Sequence, residues 1–126
     1  MQANTAKQVH ELFVERFNAQ DADAIIELYE PNAVIIPPDA PEAVSGHVAI
    51  RQVLDGFLAL NGKMENTIVR VVEQQGIAIL YSRWTVSGTR PDGTPVTVGG
   101  TTSDVVRRQS DGSWLFAIDN PLGGAA

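Results

Sequence analysis

Along the first half of the chain the apolar positions recur every three to four residues, and from Lys63 onward they recur every two. Val9, Leu12, Phe13 and Phe17 share one arc of a helical wheel, with Glu11, Glu15 and Arg16 on the other. This predicts an amphipathic helix over residues 5–18 with Thr5 as its N-cap. Asp21 can cap a second helix carrying Ile25, Leu28 and Tyr29 until Pro31 stops it. The β-branched run AVIIPP, residues 33–38, reads as a strand reaching a sheet edge or pocket rim at its double proline. After a crossing loop, DAPEAVSG, Ser45 or Gly46 opens a third helix with Ile50, Val53, Leu54, Phe57 and Leu58 on one face. Asn61-Gly62 offers that helix a left-handed C-cap.

In the second half, MENTIVRVVEQ and IAILYSRWTVSG alternate across a sheet, joined by a turn at Gln75-Gly76. The last third, from Trp84 to Pro121, continues the meander through turns at Asp92-Gly93 and Asp111-Gly112. Gly99-Gly100 in mid-strand predicts a bulge or sharp bend that lets the sheet curl. Helices first and a long meander second predict an α+β fold: a cone-shaped, strongly curved antiparallel sheet of five or six strands on three helices, a cystatin-like roll with a pocket between the layers. One domain is expected over residues 1–126, with Leu122 to Ala126 as a loose tail.

Composition narrows the chemistry. The absence of cysteine excludes disulfides, thiolate nucleophiles and thiolate metal sites. A formal charge of −6 disfavours nucleic acid and anionic membrane surfaces as partners, and Arg107-Arg108 is the only adjacent basic pair. Neither an export signal nor an apolar run of the roughly 20 residues a membrane span requires is visible, so a cytoplasmic protein is expected. The two histidines, His10 and His47, have no partner at metal-ligand spacing; His47 reads as a first-turn residue near the pocket rim. No nucleophile elbow, phosphate-binding glycine loop or dinucleotide fingerprint is present, and no cofactor is expected.

The segment FNAQDADAIIELYEPNAVI, the helix opening VSGHVAIRQVL and the ending GSWLFAIDNP resemble the nuclear transport factor 2-like superfamily, which includes steroid delta-isomerases, SnoaL-like cyclases and limonene epoxide hydrolases. The combination of YSRW with a W-x-F-x-I-D-N-P ending is most similar to the SgcJ/EcaC-like branch. The resemblance implies a homodimer formed through the outer face of the sheet, which also solves a physical problem: a meander rich in Val, Ile and Trp on both faces cannot leave its outer face in water.

Steroid isomerases use a helix-borne tyrosine, a base aspartate at the end of the first strand and a neutral aspartate on the next-to-last strand. The resemblance carries the first role onto Phe13 and the second onto Pro37, neither of which ionises, and the third onto Asp104. Asp39 lies two residues past the vacant base position and could replace it. The same alignment points Asp119 inward. Two carboxyls in a partly apolar cavity would raise at least one pKa and supply a proton donor near neutrality. Arg83 is open to two readings, as a pocket residue or as the cross-strand ion-pair partner of Asp104 or Asp119. Trp84, with Tyr29 and the neighbouring Thr102, could line a cavity for a flat apolar ligand. The epoxide-hydrolase pattern needs an aspartate two residues beyond its arginine, where this chain has Thr85. Two functions remain. One is a cofactor-independent isomerase- or cyclase-like enzyme on an apolar ring compound, with Asp104 as acid or hydrogen-bond donor and Asp39 or Asp119 as proton acceptor. The other is a non-catalytic ligand-binding or dimeric association module.

Overall fold

The computed structural model describes residues 1–38 and 40–123. The first helix, α1 (Ala6–Asn18), begins where the Thr5 hydroxyl accepts a bond from the Gln8 amide. The second, α2 (Ala22–Ile26), is capped by the Asp21 carboxylate on the Ala24 amide. Leu28 and Tyr29 do not belong to it, contrary to the apolar spacing. The Leu28 carbonyl accepts from the Phe116 amide at 2.7 Å, and Tyr29 opens strand β1 (Tyr29–Ile35). Pairing with the sheet wins over helical period here. Pro31 is tolerated inside β1 because the pairing to the neighbouring strand is interrupted between Tyr29 and Val34.

The expected crossing loop contains a two-residue strand, β2 (Val44–Ser45), antiparallel to β1, and Gly46 at φ 90° leads into α3 (His47–Leu58). The meander follows as β3 (Lys63–Gln74), β4 (Ile77–Thr89), β5 (Pro95–Arg108) and β6 (Trp114–Asp119). Strand order is β2-β1-β6-β5-β4-β3, antiparallel except for the parallel β1–β6 pair. At Gln75-Gly76 both residues are left-handed, as the two-residue hairpin requires. At the other two turns only Gly93 and Gly112 are left-handed. Asp92 and Asp111 instead accept from the amide and hydroxyl of Thr94 and Ser113.

The helices cover the concave face of the curved sheet, and one apolar cluster joins Val9, Phe17, Ile25, Ile50 and Leu54 to Leu80, Val86, Val106 and Phe116. Gly99-Gly100 does not bulge: β4 and β5 stay in register through Thr85–Gly99 and Trp84–Gly100. The glycines serve close packing. A Cβ on Gly100 would lie 2.8 Å from Leu122, which is folded back over the strand. The interruptions fall elsewhere, near Val69 in β3 and at Ala117 in β6, where Phe116 pairs with Val106 but Ile118 pairs with Val105.

Candidate functional site

The bulge at Ala117 decides the chemistry of the concave face. Strict alternation would put Asp119 opposite Phe116, but the extra residue turns both inward, and both are buried. On β5 ordinary alternation brings Thr102, Asp104 and Val106 inward, and on β4 it does the same for Leu80, Ser82 and Trp84. From α1, His10 descends onto this surface on the same stripe as Ala6 and Phe13, and it too is buried.

A continuous chain of polar groups results. His10 Nδ1 lies 2.8 Å from Ser82 Oγ, and His10 Nε2 lies 2.7 Å from Asp104 Oδ2. Asp104 Oδ1 accepts from the Asn120 amide at 2.7 Å. The carboxyls of Asp104 and Asp119 hydrogen-bond to each other, and the Tyr29 hydroxyl donates to Asp119 Oδ2 at 2.5 Å. Aromatic packing fixes the frame: Tyr29 stacks on Phe116 at 4.7 Å between centroids, and Phe13 meets Phe116 edge-on at 5.9 Å.

Burial sets the protonation states. Desolvation raises Asp104 to about 7 even though the Asn120 amide and Asp119 pull it down. Asp119 is held well above the ordinary carboxyl range by desolvation and by the charge of Asp104. The pair therefore keeps at least one proton at neutrality, more strongly held on Asp119. Burial also lowers His10 to about 4, against the pull of Asp119, and pushes the Tyr29 phenol well above 10. His10 against Asp104 is thus a neutral imidazole donating to a carboxylate, not an ion pair.

An inner cavity of about 60 Å³ opens onto this chain. Its polar lining is His10, Asn66, Thr102, Asp104 and Asp119, and its walls include Phe13, Phe57, Trp84 and Pro121. The C-terminal turn closes one side, held by the Trp84 indole N–H donating to the Pro121 carbonyl at 2.7 Å. Phe57 stands edge-on to Trp84 and separates the inner cavity from an outer groove of about 520 Å³ lined by Pro37, Pro38, Val44, Val53 and Val98. Among the described residues no three His, Asp or Glu side chains are grouped to hold a metal ion.

A family model described as the SnoaL-like domain matches residues 10–116. The chain belongs to the SnoaL-like domain family. Within the wider nuclear transport factor 2-like superfamily, solved structures share the fold at low identity. A ketosteroid isomerase-like protein from Erwinia carotovora atroseptica superposes with a TM-score of 0.74 at 23% identity, covering 90% of this chain and 88% of that one. A putative calcium/calmodulin-dependent protein kinase type II association domain from Thiobacillus denitrificans gives 0.77 at 16%, covering 97% and 98%. A nuclear transport factor 2-like superfamily protein from Salmonella enterica gives 0.77 at 15%, covering 94% and 88%. No curated protein matches the sequence.

In this SnoaL-like domain Asp104 and Asp119 meet as the sequence suggested, with Phe13, Trp84 and Thr102 around them. Tyr29 sits behind Asp119 as its donor, and Pro37 lines the outer groove. Arg83 does not line the pocket. Alternation between the buried Ser82 and Trp84 turns it to the exposed outer face, away from both aspartates. Asp39 lies outside the described residues. His47 Nε2 donates to the Tyr29 carbonyl, 2.9 Å away, and so anchors the start of β1. The residues missed were His10 and Ser82. The signal for His10 was its place on the apolar stripe of α1, where a polar group must find a buried partner.

Proposed function

We propose that this SnoaL-like domain is a cofactor-independent acid–base catalyst of the isomerase or cyclase type, acting on a small apolar ring compound that carries a carbonyl. Asp104 takes a proton from the carbon beside the carbonyl. Asp119, kept neutral, turns the proton it shares with Asp104 toward the carbonyl oxygen as charge develops there, and the proton held by Asp104 is returned to a different carbon or to the same one. This reverses the roles that the isomerase pattern assigned to Asp104. The observation that carries the reading is the pair of buried carboxyls at the edge of an apolar cavity, both raised above the ordinary carboxyl range by desolvation. YSRW in β4 and WLFAIDNP at the end of β6 support a place in the SgcJ/EcaC-like branch. A homodimer completes the reading, supported by the apolar outer face of the sheet.

Exchange of carbon-bound protons for deuterium in a panel of cyclic ketones, followed by NMR, tests the proposal. The protein should accelerate exchange in at least one ketone, and Asp104→Asn should lower that rate by about 100-fold or more. Silence across the panel favours a second reading, a ligand-binding or association module. That reading draws support from the small inner cavity, which is well under the ~300 Å³ at which pockets enclose drug-sized ligands.

A further inference from the structure

We propose that Ser82 and His10 are positioning residues that fix the direction of proton donation through the site, committing Asp104 to the accepting role and Asp119 to the donating one. The inference deepens the acid–base reading and rests on it for its functional meaning, but its structural content stands separately.

The order Ser82–His10–Asp104 has the connectivity of a hydrolase triad. Yet Ser82 is wholly buried and is not part of the cavity wall, so no substrate can reach its hydroxyl. Its hydroxyl serves His10. Among the described residues Ser82 Oγ has one partner, His10 Nδ1, while the Ser82 amide donates separately to Thr102 Oγ1. A hydroxyl has a single proton, and in a dry site that proton needs an acceptor. If Nδ1 carried a proton it would donate to Oγ, and the hydroxyl's own proton would have no acceptor among the described residues. The satisfied arrangement has Ser82 donating to Nδ1 and the imidazole proton on Nε2.

That tautomer aims an N–H at Asp104 Oδ2, while the Asn120 amide aims another at Oδ1. Each oxygen of Asp104 therefore meets a donor. Among the described residues the Asp119 carboxyl accepts only from Tyr29, and its second oxygen is free to carry the shared proton toward Asp104. Donation runs one way along each arm, from Ser82 through His10 to Asp104, and from Tyr29 through Asp119 to Asp104. The titratable groups that act on His10 are Asp104 from β5, through a hydrogen bond, and Asp119 from β6, through its charge. Neither supplies a proton acceptor for Nδ1, so the hydroxyl on β4 decides the tautomer.

The ring nitrogens of His10 in the ¹⁵N-labelled full chain report this directly. Between pH 6 and 8 the spectrum should show a neutral ring protonated on Nε2, and an imidazolium or a ring protonated on Nδ1 overturns the proposal. Variants test the consequence through the ¹³C carboxyl titration of Asp104. His10→Leu removes the donor and should raise the Asp104 midpoint by about one to two pH units. His10→Gln can still donate and should hold the midpoint within about half a unit of the parent. A merely structural histidine would lower the melting temperature of both variants and leave both midpoints in place, which also overturns the proposal. Failure of ketone exchange would end the catalytic reading without touching the tautomer result, so the two failures are distinguishable.

Discussion

At the scale of the residue, the two aspartates should answer isosteric substitution in opposite ways. Both carboxyls keep their protons in the fold at pH values where an unfolded carboxyl, near 3.8, has lost them. Between about pH 4 and 7 the folded chain therefore binds more protons than the unfolded one through this pair. That contribution to stability is present at low pH and is lost as pH rises through the window. His10 opposes it: its folded value of about 4 lies below the ordinary 6.5, so its contribution grows as pH rises between those values. Asp119→Asn keeps an acceptor for Tyr29 and a donor for Asp104 and removes an ionisation that burial penalises. Its melting temperature should equal or exceed the parent's at pH 8, with the advantage shrinking toward pH 5. Asp104→Asn sets an amide against the donors of His10 and Asn120 and should cost about 1–3 kcal/mol near neutral pH. Calorimetric melts of both variants at several pH values check the contrast, and equal losses in the two would contradict the assigned protonation states.

At the scale of the element, the strands were legible from the sequence and their faces were not. Period-two spacing and three turn signals located the meander, because alternation and left-handed glycines are local properties. The inward turn of Asp119 depends on the Ala117 bulge, and nothing in WLFAIDNP marks a bulge, since no glycine or proline is needed there. Gly99-Gly100 carried a bulge signal that the structure uses for close packing instead, Gly99 against the backbone of Trp84 and Gly100 against the C-terminal turn. Tyr29 passed for a helical residue because its strand partner, Phe116, lies far along the chain. His10 and Ser82 escaped notice for the same reason, being 72 residues apart in sequence. The C-terminal turn has its own consequence. Trp84 holds it by one bond, Leu122 packs on Gly100, and Asn120 donates to Asp104. Gly100→Val should displace Leu122, loosen this turn and weaken the Asn120 bond. The Asp104 titration should then move upward together with faster exchange of the Asn120 amide proton. An unchanged amide would show that the turn is held without this packing.

At the scale of the whole molecule, the concave face buries the site and the convex face carries an apolar row that one chain leaves in water. The register aligns Val72 with Ile79, Ile79 with Val105 and Val105 with Ile118, a line across four adjacent strands. Val72 and Ile118 at its ends are 49% and 39% exposed. Arg83 and Arg70 point to the same side as this row, so Arg83 belongs to the surface and not to the pocket. A row on a curved sheet is self-complementary when a second copy crosses it about a twofold axis, so the proposed homodimer covers it with the same residues from the partner. The parent should therefore run in light scattering at twice its 13.5 kDa chain mass. Ile79→Arg, placing a charge at the centre of the row, should run at the chain mass itself. Because the inward neighbours Ala78 and Leu80 are untouched, the monomeric variant should keep the His10 tautomer and the Asp104 midpoint of the parent. A parent that is already monomeric would remove the outer face from the functional reading, leaving the polar chain on the concave face intact.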